Sequence, residues 1–320
     1  MTTASLEQRR GGAAHQQRRR AEHGRRRRRP VNRHRVAATV FLSPAVILIS
    51  LFVVVPMVLT LWFSLHTGAI STPLREMKWV GLANYREIFT DPTHRQAFEN
   101  TAIYVGLSLV ITVPLAFLIA LLVYTPKLRG SAVLRVVLFA TYVIPTVAIV
   151  IIWSQLYSPH YGPIDVILRN VGLPTPGWLS DPNAALVSLV LFNVWQMLGY
   201  YVVLLVAGLT QIPEDVYEAA SVDGAGAFRR TVSITIPLLR NSFVFVCLMS
   251  VINSVQVFDP IYLLTQGGPA NSTLTISYDI QRTVIQYGLA GQASAMASSL
   301  LIVIAIVGGI IGLTLRGRSA

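Results

Sequence analysis

The sequence predicts an all-α integral membrane protein with six transmembrane helices. Three observations predict it. Hydrophobic residues fill 53% of the 320 positions and charged residues only 12%, against about 25% charged in soluble domains. Six apolar stretches are each long enough to cross a hydrocarbon layer of roughly 30 Å. They fall near 39–65, 99–124, 132–157, 184–210, 241–264 and 289–315. Backbone polar groups in lipid must find partners within their own segment, so such stretches form a helical bundle.

Taken in chain order, the first element is a basic tail. The first 35 residues hold 12 Arg and 2 Glu, which supply +10 of the net +12. Residues 1–37 are expected to be a disordered cytoplasmic tail that fixes topology and touches anionic lipid. Nucleic acid is not an expected partner, because no aromatic residues interleave with the arginines and no folded module follows. A secretory signal is not expected either, since the first apolar stretch is too long for one. A six-helix membrane domain, 38–316, follows. Its fifth span carries Asn253, Gln256 and Asp259. Its sixth is rich in Gly, Ala and Ser, small residues that let helices approach closely in lipid.

Arg and Lys set the orientation. With the tail inside, the loops near 125–131 and 211–240 and the C-terminus are also inside. Those inner pieces, with Arg135 just inside the third apolar stretch, carry Lys127, Arg129, Arg135, Arg229, Arg230, Arg240, Arg316 and Arg318, against Arg75, Lys78, Arg86, Arg95, Arg169 and Arg282 outside. Both termini are therefore expected in the cytoplasm.

The loop between the fourth and fifth spans, 211–240, is the most informative segment. Pro213 suits the first position of a helix, where its missing N–H is not needed. Glu214 and Asp215 then favour the positive end of the helix dipole. Ala219 and Ala220 are strong helix formers. Gly224 after Asp223 can take a positive φ and end that helix. A second helical run places Phe228, Val232 and Ile236 on one face, and Pro237 marks the next break. On these residues alone the segment is also compatible with an ordinary polar connector.

Its spacing is Glu218-Ala219-Ala220, three residues, Gly224, nine residues, Ile234, one residue, then Ile236-Pro237. This pattern resembles the EAA loop of permease subunits in binding-protein-dependent ABC importers. Ile236 stands where Leu is usual, and Arg240 where sugar-type members often carry Pro. The resemblance runs from about residue 38 to 315. It includes Gly81-Leu82-Ala83-Asn84-Tyr85, Asn100-Thr101, Leu128-Arg129-Gly130, Trp178-Leu179, Ala207-Gly208-Leu209, Phe258-Asp259 and Thr265-Gln266-Gly267-Gly268-Pro269. Together these look like the carbohydrate-uptake group, in its maltose-permease F or glycerol-phosphate-permease A type.

The resemblance implies a type I importer permease fold and a division of labour. A second homologous permease forms the other half of the pathway. A dimer of cytosolic ATPases binds ATP and Mg and docks on the two EAA loops, and a binding protein outside delivers a sugar-like solute. This chain then carries no cofactor and no catalytic site. Glu218, Ala219, Ala220, Asp223, Gly224 and Ala225 are its expected ATPase-coupling residues, with Glu218 in the ATPase cleft. The setting is the plasma (inner) membrane of a prokaryote.

The residues exclude other classes. There is one cysteine, Cys247, hence no internal disulfide and no cysteine metal cluster. Neither HExxH nor G-x-S-x-G occurs, and neither lysine sits in a Walker A loop. An ion-gradient-driven carrier would need ionisable residues at mid-depth, which are almost absent. Asp259 is the lone acid near a span. A non-transporting scaffold with the same fold remains compatible with the sequence.

For the solute path, the fourth span offers Asn193, Gln196 and Tyr200 on one helical face, and the fifth offers Asn253 and Gln256. Related permeases build their transmembrane site from these regions. Polar groups in a span face a cavity or a partner, and interhelical hydrogen bonding accounts for the same residues equally well.

Overall fold

The computed structural model describes residues 31–125 and 130–316, the backbone alone at 31–37 and 311–316. Most of the expected tail, and Lys127, Leu128 and Arg129 of the first inner loop, lie outside the described residues. The chain divides after Val58 into two compact units.

The first unit holds helix α1 (Val31–Ile49), a π-helical turn at Ser50–Val54 and the start of α2 (Val55–Ser64). The π turn has a local cause. Pro56 has no N–H, and its ring crowds the carbonyl four residues earlier. The turn before it widens, and Val55 N–H bonds Ser50 O instead. The same device recurs in the second unit, where Ile236 N–H bonds Thr231 O immediately before Pro237.

The second unit takes up the rest of α2 and continues into a short hairpin of β1 (His66–Thr67) and β2 (Lys78–Trp79), paired antiparallel. Helix α3 (Ala83–Thr90) leads into α4 (Pro92–Tyr124). The second span therefore starts seven residues ahead of its apolar stretch. Asp91 is the reason: its carboxylate accepts from the N–H groups of Thr93 and His94 at 2.8 and 3.1 Å, with Pro92 in the first turn.

The third apolar stretch, expected as one helix, is two: α5 (Ser131–Val143) and α6 (Thr146–Leu156), bent by 97°. Pro145 removes a donor and forces Ile144 out of the helical region, to φ −69° and ψ 132°. Helix α7 (Pro163–Asn170) closes the next loop. There Asp165 accepts from Trp178 Nε1 and from His160 N–H. The indole donation holds its carboxyl below the usual carboxylate range, against the opposing pull of burial.

Helix α8 (Ala185–Leu209) is the fourth span and the hub. It packs along α4 and along α5. Val113, Ala116, Phe117 and Ala120 of α4 and Val202, Leu205, Val206 and Leu209 of α8 repeat at i, i+3, i+4, i+7 and form one buried seam. The contact with α5 depends on Gly199, where a Cβ would overlap the backbone carbonyl of Leu138.

The loop helices are α9 (Glu214–Val222), α10 (Ala227–Arg230) and α11 (Ile236–Leu238). The fifth span is α12 (Arg240–Val255) followed, after a break at 256–258, by α13 (Asp259–Leu264). Helix α14 (Ile276–Ile285) precedes α15 (Ala290–Arg316), the sixth span. Helix α12 packs on α4 and α8, α13 on α6, and α15 on α14 and α3. Among the described residues five helical runs are long and apolar enough to cross a membrane, and the bent α5–α6 pair makes a sixth.

Candidate functional site

The loop between α8 and α12 folds as a helix, a glycine turn and a second helical arm. Helix α9 begins at Glu214, one residue after Pro213, and ends in a paired hydrogen-bond cap. Ala225 N–H bonds Ala220 O at 2.9 Å and Gly224 N–H bonds Ser221 O at 3.1 Å. Gly224 sits between them at φ +72°. This is the glycine-capped helix end in which the residue after the C-cap is left-handed.

Two side-chain bonds hold the arms together, and a third, within α9, orients Ser221. Ser221 Oγ donates to Tyr217 O at 2.7 Å and accepts from Arg230 Nη1 at 3.1 Å. The hydroxyls of Tyr217 and Thr235 lie 3.2 Å apart. Ala220 of α9 is buried, while Glu218, Ala219, Asp223 and Gly224 are exposed and Ala225 half-buried. Val222 and Phe228 stand at the corner at 88% and 82% exposure. Phe228, Val232 and Ile236, expected on one face, are all exposed. The loop thus presents a carboxylate, Glu218, on a short capped helix beside an apolar corner.

The five polar residues of the fourth and fifth spans do not converge on one point. Asn193 is buried and donates to Ser108 Oγ of α4 at 3.3 Å. Gln196 is buried and donates to Thr146 Oγ1 at 2.9 Å, across the break between α5 and α6. Asn253 donates to Tyr201 Oη at 3.2 Å. Tyr200 is half-buried and stacks on Tyr142, ring centroids 4.5 Å apart. Gln256 is exposed at the end of α12.

The partners Ser108, Tyr142 and Thr146 escaped sequence reasoning. Serine and threonine are ordinary in spans, and only the bend at Pro145 brings Thr146 to Gln196. A second missed group lies at the other end of the bundle. His94 of α4 and Arg282 of α14 both reach the buried Asp279, at 2.6 and 3.2 Å. The Asp279–Arg282 spacing of three is visible in the sequence, whereas His94 lies 185 residues away.

Residues 112–317 match the family described as binding-protein-dependent transport system inner membrane component. The chain is 35% identical over 237 residues to the trehalose/maltose transport system permease protein MalF of Thermococcus litoralis, covering 73% of this chain and 78% of that one. It is 32% identical over 276 residues to the lactose transport system permease protein LacF of Rhizobium radiobacter, covering 83% and 89%. Its fold is similar to a chain in the crystal structure of a bacterial ABC transporter involved in import of the acidic polysaccharide alginate. The TM-score is 0.76 at 22% identity, with 89% of this chain and 96% of that chain covered. The chain therefore belongs to the binding-protein-dependent inner membrane components, and it is a permease subunit of an ABC importer of the carbohydrate-uptake group.

Proposed function

We propose that this chain forms half of the pathway for a sugar or sugar derivative and takes its power stroke through the 211–240 loop. The loop geometry carries the reading. Glu218 is exposed on a helix capped at Gly224, and cross-arm hydrogen bonds make the loop a lever rather than a flexible connector. A second permease supplies the other half. Cytosolic ATPases hold ATP and Mg and perform the hydrolysis, and a binding protein delivers solute from the other face. Relatives named for trehalose/maltose and lactose transport support the sugar class. A similar solved assembly contains an alginate-bound periplasmic protein, which supports the external partner. The tail and both termini lie on the ATPase side of a prokaryotic inner membrane.

The test is ATP hydrolysis by the purified assembly in nanodiscs, with the cognate binding protein and a panel of sugars. One sugar should stimulate hydrolysis, and Glu218→Lys should abolish that stimulation while the subunits still copurify. Loss of an interfacial charge partner costs about 2–5 kcal/mol, enough to uncouple the two proteins. Stimulation unchanged in Glu218→Lys would sink the coupling role.

Asn193, Gln196, Tyr200, Asn253 and Gln256 are proposed to line the solute path, with distinct duties. Gln196, bonded to Thr146, braces the broken span, whereas the exposure of Gln256 supports a role in meeting solute. Gln256→Ala should raise the KM for uptake several-fold at unchanged melting temperature. Gln196→Ala should lower the melting temperature. Equal effects of the two substitutions on both readouts would refute this division.

A further inference from the structure

We propose that a cavity at the root of the coupling loop binds a phosphate ester; this rests on the reading that the loop faces the cytosol. The cavity, about 1000 Å³, opens where the end of α4, the start of α5, the end of α8 and both arms of the loop meet. Among the described residues two guanidinium groups line it, Arg135 and Arg230, against one carboxylate, Glu214. Arg135 Nη2 donates to Val123 O at 3.3 Å, but its Nε is buried and has no hydrogen-bond partner. A buried donor without an acceptor is costly, and a guanidinium fork matches phosphate oxygens.

Arg230 gives one N–H to Ser221 and has others to offer. The wall also includes Tyr124 and Ser131, whose hydroxyls suit ester oxygens, and Thr210 and Thr231, whose hydroxyls donate to Ala207 O and Ala227 O and can accept from sugar or glycerol hydroxyls. Ser131 opens the 13-residue helix α5, whose first N–H groups and dipole add to the attraction for an anion. Pockets for drug-sized ligands run to about 1000 Å³, so the space admits a molecule larger than bare phosphate. That chemistry is shared by an anionic phospholipid headgroup and a soluble sugar phosphate. An occupant touches both arms of the loop and three membrane helices, and so opposes their relative movement.

The experiment uses the full importer assembly in nanodiscs, read by melting temperature. Glucose 6-phosphate is the soluble probe in zwitterionic discs, and phosphatidylglycerol replacing part of the phosphatidylcholine is the lipid probe. A saturable upward shift is expected with one of them. In Arg230→Gln and Arg135→Gln the apparent affinity should fall about tenfold or more, the loss expected for a charge-assisted hydrogen bond. Arg135→Gln also removes the bond to Val123 and can disturb folding, so Arg230→Gln decides. A shift with glucose 6-phosphate alone identifies a soluble ester, and a shift with phosphatidylglycerol alone identifies a headgroup. No shift with either probe, or equal shifts in wild type and Arg230→Gln, overturns the site. Sugar-stimulated hydrolysis in the same discs separates the two readings. Stimulation without anion binding refutes only the cavity. Arg230-dependent binding without stimulation keeps the cavity and removes the proposed coupling of a sugar to this assembly.

Discussion

Asp279 joins α14 to α4 through one carboxylate. Its side chain is fully buried, its Oδ2 lies 2.6 Å from His94 Nδ1 on α4, and its Oδ1 accepts from Arg282 Nη2 on α14. Arg282 reaches on to Asn271 Oδ1 at 3.5 Å, and Asn100 donates to Asn271 O and Leu274 O at 2.8 and 3.0 Å. This polar knot fixes the segment between α13 and α14 against the start of α4. Removing one partner of a buried charge pair leaves the others uncompensated, at a cost of about 3–5 kcal/mol. Asp279→Ala should therefore lower the denaturant midpoint in detergent sharply, and His94→Gln, which retains a donor, should lower it less. Equal midpoints for wild type and Asp279→Ala would show that the knot contributes no stability. None of this knot was legible in advance except the Asp279–Arg282 spacing, because chain distance conceals a pairing that packing creates. The loop residues were more legible, since Glu218, Ala220 and Gly224 act through local helix and turn rules.

At the scale of elements, the prolines and glycines decide most shapes. Pro145 breaks the third span, and Pro56 and Pro237 each follow a widened π turn. Gly199 admits α5 to the surface of α8, and Gly224 ends α9 in a left-handed turn. A left-handed conformation costs a residue with a Cβ about 1–2 kcal/mol, and asparagine tolerates it better than a β-branched residue. Gly224→Val should thus impair uptake with the bundle intact, and Gly224→Asn should retain most activity. Full uptake by Gly224→Val would show that the turn does not set the lever. The glycine turn could be read from the sequence because cap chemistry is local. The extent of the bend at Pro145 could not: proline announces a break, but the 97° angle goes with the packing of α5 on α8 and of α6 on α13.

For the whole molecule, six crossings place the 211–240 loop and the loop between α6 and α7 on opposite sides of the membrane. In a Cys247→Ser background, Ser233→Cys should react with an impermeant thiol reagent only in inside-out vesicles. Tyr161→Cys, at a position 88% exposed, should react only in right-side-out ones. Labelling of both from one side would break the topology. Apolar length and Arg placement determine this arrangement from sequence alone, because lipid solvates each span independently and makes its backbone bonds local. The helical class and the number of apolar stretches follow for the same reason, and the helix–glycine–helix loop because its cap chemistry is local. Tertiary structure alone decided which polar span residues are spent on their neighbours. Asn193, Gln196 and Asn253 find partners on other helices or across a break, while Gln256 stays exposed. A hydrogen bond between distant segments depends on the register and bend of both, and no local rule in a linear sequence specifies either.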